Sequence, residues 1–176
     1  MPKNNLIDDT PAPMVDSHAK TLSERVADYL GNNDWRFSVA KDGNSFAFWL
    51  RLRDASVRVC IDTLETNGWA RILVYGTYPT YVPAPRRQAV ADAIARVNYT
   101  CVLGNLEQDM NDGEVRVRTT LEGDGHISEL MIDRAVRRCL ELADQYLAPL
   151  LAIAFGNASP TDVLAMASRG EAATLQ

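Results

Sequence analysis

The chain has 176 residues, of which 47% are hydrophobic, and this length suits one domain with a buried core. Its formal net charge of −5 and pI near 5.0 exclude the broad basic surface of a general nucleic-acid binder. No apolar run approaches a membrane span and the opening residues lack a signal-peptide core, so neither a nucleic-acid nor a membrane partner is expected.

The first half of the chain predicts one helix followed by antiparallel strands. Residues 1–17 are polar and contain two prolines, so we expect a disordered lead-in. Apolar residues at helical spacing predict a helix over Leu22–Leu30. Alternating patterns then predict four β runs: Trp35–Val39, Ser45–Arg53, Ser56–Leu64 and Trp69–Tyr78. The last run is apolar at successive positions, which indicates a central strand buried on both faces.

Two turn signals set the expected pairing of these strands. Asn67-Gly68 predicts a tight turn into the last run. A two-residue turn at Asp54-Ala55 would place Arg51 opposite Arg58, which is unfavourable unless an anion lies nearby. The segment that follows, residues 78–85, contains three prolines and predicts a rigid connector without regular structure.

The middle of the chain predicts a helix and then one β-hairpin. The helix starts at Pro85 or Arg86 and ends near Asn98. The hairpin spans Asn98–Leu121 and turns at Asp112-Gly113, for which a type I′ turn is expected. In that register two pairs of oppositely charged residues face each other across the strands. Each pair is expected to stabilise this register by about 0.2–1 kcal/mol. The expected pairs are Glu107 with Arg118 and Asp109 with Arg116.

The last third predicts the longest helix and a short one after it. Ser128 is placed to cap the long helix, with Ile127 and Ile132 forming a hydrophobic staple. Pro149 lies inside this helix, and we expect a kink there. Ser159-Pro160 predicts a short final helix within residues 158–176, followed by a frayed tail. The fold class is therefore α+β, an antiparallel sheet with helices packed on one face.

Several segments together resemble the YbjN domain family. The resemblance rests on the order and spacing of these segments over roughly residues 20 to 165. From it we expect a YbjN-like domain over residues 18–157. Two departures from the family pattern are visible: Leu106 stands where an aromatic residue is common, and Gln108 where an apolar residue is common. The segments are Asp34-Trp35, 96–109, 112–119, 144–149 and 153–160.

The resemblance implies a fold like the type III secretion chaperones, with the order α-β-β-β-α-β-β-α. It also implies a bacterial cytoplasmic protein that acts as a sensory transduction regulator and has no established catalytic activity. Secretion chaperones of this shape are usually homodimers that hold protein clients. A homodimer with an unidentified protein client or regulator is therefore the expected assembly, whereas a secretion chaperone proper has weaker support because fold analogy alone cannot carry function.

The residues that could carry chemistry do not form a recognisable catalytic or metal site. His18 and His126 lie in polar surroundings without cysteine or carboxylate at ligand spacing. Cys60, Cys101 and Cys139 form no CxxC pair, which indicates reduced thiols in a cytosolic protein. No phosphate loop, nucleophile elbow or zinc motif occurs. We therefore expect no enzyme activity, no cofactor and no metal.

A surface of tryptophan and arginine is the better functional candidate, because both residue types are enriched at binding hot spots. It is expected to bind a protein segment through the sheet face or an exposed strand edge. The alternatives are that these arginines pair internally with Asp62, Glu65 or tail carboxylates, or that Arg51, Arg58 and Arg71 line an anion pocket of a small-molecule sensor, between sheet and helix. The candidate residues are Trp49, Arg51, Arg53, Arg58, Trp69 and Arg71.

Overall fold

The computed structural model describes residues 20–66, 68–124 and 126–174, with side chains as far as residue 168. The expected lead-in over residues 1–17 and the last residues of the tail lie outside the described residues. The described residues form four α-helices: α1 Leu22–Asn32, α2 Arg87–Thr100, α3 Glu129–Phe155 and α4 Val163–Thr174. The same described ranges contain six strands: β1 Ser38–Val39, β2 Ser45–Arg51, β3 Ser56–Thr66, β4 Trp69–Thr77, β5 Asn105–Gln108 and β6 Val115–Asp124.

The strands form one antiparallel sheet in the order β1-β2-β3-β4-β6-β5, and the predicted α+β class is confirmed. Every second residue is buried in β3 from Val57 to Thr63, in β4 from Ala70 to Gly76 and in β6 from Val115 to Thr119. Helices α1, α2 and α3 pack their apolar stripes against this same face and share its core. The core therefore lies between one face of the sheet and the helices.

Helix α3 begins as its sequence predicts. Ser128 is the N-cap and accepts a hydrogen bond from the Met131 N–H at 3.3 Å, while Ile127 and Ile132 are both buried beside it. The helix continues through the buried Pro149 to Phe155. Helix α4 also belongs to the core, since its Val163 and Ala167 side chains are buried there.

The hairpin between β2 and β3 turns one residue earlier than predicted. The Leu52 N–H donates to the Ala55 carbonyl at 2.8 Å, so Arg53 and Asp54 form the turn. Trp49 consequently lies opposite Arg58, and the predicted apposition of two arginines is wrong. Moving a turn by one residue shifts the register by two residues, so the buried face is unchanged.

The hairpin between β5 and β6 also has a register two residues away from the prediction. Its loop is longer, because the Asp109 N–H donates to the Glu114 carbonyl at 2.9 Å and the Gly113 N–H donates to the Asp109 carbonyl at 2.8 Å. Gly113 has a φ of +89°, but Asp112 does not have a positive φ, so the predicted type I′ turn is wrong. Glu107 lies opposite Arg116 instead of Arg118.

Arg87, at the start of α2, fixes this loop from outside the hairpin. Its guanidinium donates to the carbonyls of Asn111 at 2.7 Å and Asp112 at 2.8 Å. The connector approaches the same place, since the Val82 N–H donates to the Gly113 carbonyl at 2.8 Å. A loop held by a helix start and a connector need not adopt the geometry that an isolated hairpin would prefer.

Strand β4 is central, as predicted, but it is buried on one face only. Ala70, Ile72 and Val74 are buried, whereas Leu73 and Tyr75, at the alternate positions, are partly exposed. The first predicted β run is reduced to Ser38–Val39. These findings mean that one face of the sheet is not covered by helices of the described chain.

Candidate functional site

The uncovered surface, called the outer face below, is the face of the sheet opposite the helices. It is formed by every second residue of β2 from Ser45, of β3 from Arg58, of β4 from Trp69 and of β6 from Arg116. Strands bring side chains to this face in rows that cross the sheet, because neighbouring strands lie about 4.8 Å apart. Five of the six predicted site residues lie on it.

The five residues form two separate groups. Trp49, Arg51 and Arg58 lie at one end of the outer face. Trp69 and Arg71 lie at the other end, where Arg71 pairs with Leu64, whereas Arg58 pairs with Thr77. The separation along the strand is about 20 Å at about 3.3 Å per residue. The predicted anion pocket of Arg51, Arg58 and Arg71 is therefore wrong in its geometry, and it is also on the face away from the helices.

Arg53, the sixth predicted residue, does not belong to the outer face. It lies in the turn after β2, where its N–H donates to Asp144 Oδ1 of α3 at 2.9 Å. Its guanidinium forms ion pairs with Asp54 and Asp144, each at 3.5 Å. Arg53 thus fastens the hairpin to a helix, and assigning it to the binding surface is wrong.

The first group exposes a large aromatic side chain beside two arginines. Trp49 is 63% exposed and lies directly opposite Arg58, which is also exposed. Neither Arg51 nor Arg58 forms an ion pair with any residue that the structure describes. Glu65, one predicted internal partner, instead pairs with Arg25 at 3.4 Å. Among the described residues, the internal-pairing alternative therefore fails for these two arginines.

A depression of about 590 Å³ adjoins this group on the outer face. Arg58, Cys60 and Tyr75 contribute to its lining, together with Arg116. The Arg116 guanidinium lies 4.6 Å from the centre of the Tyr75 ring, in a cation–π contact. Tyr75 and Arg116 were not among the predicted site residues. Their signal was the alternation of β4 and β6, which places them on the same face as Arg58 once the register is known.

The thiols in and below this face are not activated. Burial raises the pKa of the Cys60 thiol, and the nearby Arg58 charge offsets that only in part. Burial raises the pKa of Cys139, which lies in the core, to about 12. A nucleophilic cysteine needs a lowered pKa, so these thiols have the opposite tendency. Within the described ranges, no three histidine, cysteine or acidic side chains are grouped so that they could share a metal ion.

Glu107 joins both arginines of β6 across the edge of the outer face. Its carboxylate accepts from Arg116 Nε at 2.8 Å and forms a second ion pair with Arg118 at 3.0 Å. The predicted pairing of Glu107 with Arg118 is thus present, as a diagonal contact. The predicted pair of Asp109 and Arg116 is wrong, because Asp109 instead accepts from the Asn111 N–H at 2.7 Å in the loop.

Partial burial alone would raise the pKa of Glu107, but hydrogen bonds from Arg116 and Asn105 and the charge of Arg118 outweigh that effect. The pKa of Glu107 therefore lies below its ordinary value. A carboxylate with a lowered pKa in the folded state stabilises the fold above its unfolded pKa of about 4.3. That contribution is lost as the pH falls through the folded-state pKa.

We expect Glu107→Gln to lower the free energy of unfolding by less than about 1 kcal/mol at pH 7, since the pair is partly exposed. The difference from the parent chain should shrink as the pH falls below about 4. Urea unfolding between pH 3 and pH 7 measures it, and Glu114→Gln in the same hairpin controls for loss of a negative charge. A difference that persists unchanged at pH 3 would contradict this account.

The second group is less open than the first. The Arg71 guanidinium lies 5.6 Å from the Trp69 ring, and both side chains are only partly exposed. Arg71 has Leu64 on one neighbouring strand and Glu122 on the other. The side chains of the second group are therefore more occupied by contacts within the protein than those of the first. Trp49 with Arg58 is the stronger candidate for binding a partner.

No helix in the described part of the chain has both the length and the apolar character that crossing a bilayer requires. No curated protein matches this chain. A solved structure, "Crystal structure of YbjN, a putative transcription regulator from E. coli", is similar with a TM-score of 0.53 at 17% sequence identity. The similarity covers 73% of this chain and 89% of that one, and at this identity it shows the fold alone.

The family model that matches is that of YbjN, whose description is "putative bacterial sensory transduction regulator". It matches residues 22–152, which include all six strands and helices α1 and α2 in full and most of α3. The resemblance that the sequence motifs indicated is confirmed over this range, and the chain belongs to the YbjN family.

Proposed function

We propose that this regulator of the YbjN type works without catalysis, by holding a segment of a partner protein on the outer face around Trp49 and Arg58. The observation that carries the proposal is the exposure of Trp49, at 63%, beside an arginine without an ion-pair partner in the described chain. The depression lined by Tyr75 and Cys60 continues from this point and offers room for a partner side chain.

The physical case rests on how such a surface behaves in water. A sheet face left without helices exposes apolar area, and burying that area is the main driving force of protein association. Tryptophan and arginine contribute most where a partner desolvates them. Arg58 adds a preference for an acidic or carbonyl-rich partner, and this preference acts mainly on specificity and association rate.

Crosslinking and pull-down from the native cell test the proposal. We expect Trp49→Ala and Arg58→Glu each to weaken partner capture by at least about tenfold, the value of a 1.4 kcal/mol hot spot. Phe155→Ala is the matched control, because Phe155 is 57% exposed but ends α3 on the helix side. A capture profile that is the same for parent chain and both outer-face variants would refute the proposed site.

The homodimer and the cytoplasmic location expected from the family resemblance remain proposals. Light scattering of the purified chain measures the first, and it should be run on the Trp49→Ala variant as well. If the parent chain is a dimer and the Trp49→Ala variant is a monomer, the outer face binds a second copy of the chain rather than a different protein.

A further inference from the structure

An apolar groove lies on the helix side of the sheet, between β6 and α3. Its volume is about 270 Å³, and its lining is predominantly apolar. Leu121 and Met131 line the groove near the start of α3, and Leu103 lines it farther along. Leu103 is 67% exposed and Met131 is 36% exposed, so the groove presents contiguous apolar surface to water. Surface of this kind marks a site of interaction.

One end of this groove is closed by the chain itself. Leu103 and Gly104 lie against β6 there. Arg138 is occupied at the same end, since its Nε donates to the Leu103 carbonyl at 3.2 Å and its guanidinium pairs with Glu141 at 3.6 Å. Arg134, one helical turn earlier, is exposed and forms no ion pair with a described residue. The groove therefore has apolar walls, an unpaired cation on its rim and one accessible end, beside the start of α3.

The described chain begins close to this accessible end. Arg25, in the first turn of α1, contacts His126, which precedes α3. Lys20 is one residue and one helical turn before Arg25, about 10 Å, and Met131 is two residues and one turn after His126, about 12 Å. Helix α1 packs on the same side of the sheet as α3. The residues that precede Lys20 therefore start on the helix side, about 20–30 Å from the groove.

The sequence before Lys20 contains a short segment whose chemistry matches the groove. Leu6 and Ile7 are aliphatic, and Asp8 and Asp9 follow them directly. The eleven residues from Asp9 to Lys20 can span up to about 36 Å, which is enough to bring this segment to the groove.

A second apolar pair with an acidic neighbour occurs in the same part of the sequence. It is Met14-Val15, followed by Asp16. Only four residues separate Asp16 from Lys20, and they span at most about 13 Å. This pair is therefore too close to α1 to reach the groove, and it offers a matched control for the segment that can.

We propose that Leu6–Asp9 docks in the groove of its own chain, with its two aliphatic side chains inside and its two carboxylates beside Arg134. A chain that comes from Lys20 enters at the Met131 end, so the aspartates stay at the entrance while Leu6 and Ile7 lie deeper. Arg134 suits that arrangement, because long helical side chains lean toward the start of their helix. These four residues would then be exempt from the disorder that composition predicts for residues 1–17.

Covalent attachment favours this occupant over a separate protein. A short linker gives an effective concentration in the millimolar range, so a segment with a millimolar dissociation constant as a free peptide would be bound about half of the time. A second copy of the chain is disfavoured by charge. If two grooves packed together about a two-fold axis, the two Arg134 side chains would approach each other.

Methyl NMR of the full chain, labelled at methionine and isoleucine methyl groups, tests the inference. Met131 lines the groove and is one of only five methionines. We expect a nuclear Overhauser effect between the methyl groups of Met131 and Ile7, which requires that the two are in contact. Ile7→Asn should abolish this effect and shift the Met131 signal. The signal of Met110, which is 48% exposed in the β5–β6 loop, should not change.

Three further variants make the result specific to this segment and this groove. Val15→Asn makes the same kind of change outside the segment and should leave the Met131 signal as it is in the parent chain. Arg134→Glu should lower the docking equilibrium constant about threefold, as expected for loss of an exposed ion pair. Asp8→Lys together with Asp9→Lys should restore docking in the Arg134→Glu chain, which a merely structural role of Arg134 would not explain.

Each other outcome overturns the inference. A Met131 signal that Ile7→Asn leaves unchanged, or that Val15→Asn shifts equally, would exclude docking of Leu6–Asp9. A nuclear Overhauser effect seen only between differently labelled chains would place the segment on a second copy instead. The inference does not depend on the outer face, so Trp49→Ala should leave the Met131 signal unchanged. Failure here with Trp49-dependent capture intact would leave the outer-face proposal standing.

Discussion

Replacing Gly113 by alanine is expected to lower the free energy of unfolding by about 3–5 kcal/mol, the combined cost of backbone strain and overpacking. Gly113 has a φ of +89°, a conformation that disfavours a side chain. A Cβ at this position would lie 2.2 Å from the Val82 carbonyl oxygen and 3.0 Å from Arg87 Nε. The connector and the hairpin loop would have to separate, which breaks the Val82–Gly113 backbone hydrogen bond.

Gly43→Ala is the matched control for this prediction. Gly43 also has a positive φ, of +75°, but a Cβ there would meet nothing within 4 Å. It should therefore cost only the conformational strain, about 1–2 kcal/mol. Urea unfolding of both variants gives the comparison. Equal losses of unfolding free energy for Gly113→Ala and Gly43→Ala would mean that the connector does not pack closely against the loop. The account of how Arg87 and Val82 hold the hairpin would then be wrong.

The sequence predicts which face each strand buries more reliably than it predicts the register. In both hairpins the predicted faces are right and the register is wrong by two residues. The alternation of side chains along a strand distinguishes an odd shift of the register from an even one, because an odd shift would turn Ile61 or Val117 to the outer face. It does not distinguish one even shift from another. That choice depends on the exact turn, which in one hairpin is set by distant groups such as Arg87.

Contacts between a polar side chain and a distant backbone leave no periodic signal. Asn98 on Leu106, and Arg86, which donates to the Ile153 carbonyl at 2.9 Å, are of this kind. Arg53 is another example: its position in an alternating run predicts an outward side chain, but the early turn directs it to Asp144. The alternation therefore predicts that five of the six candidate residues share one face of the sheet, whereas their division into two groups follows only from the register.

The motifs that indicate the family are largely scaffold residues. Asn98 closes the edge of β5, and Glu107 joins the arginines of β6. Gly104 lies where a Cβ would be 2.8 Å from Leu142 Cδ1, so this position favours glycine for both space and φ. Trp49 and Arg58 lie outside those motifs. The family resemblance therefore indicates the fold. Specificity for a partner of this chain would depend on outer-face residues that the motifs do not include.

Replacing Ile72 by alanine is expected to lower the free energy of unfolding by about 2–5 kcal/mol. Replacing Leu73, the next residue of β4, by alanine should lower it by about 1 kcal/mol or less. Ile72 is fully buried in the core between sheet and helices, while Leu73 points to the outer face and is partly exposed. A strand buried on both faces would give similar losses at both positions.

Urea unfolding of the purified variants measures this difference, because adjacent residues share the same strand and the same backbone pairing. Leu73 lies between Asp62 of β3 and Thr120 of β6, so its side chain meets small or polar neighbours rather than a second core. Comparable losses for the two variants would show that the outer face is already covered in the isolated chain. In that case Trp49 and Arg58 could not be open to a partner, and the proposed binding surface would have to be abandoned.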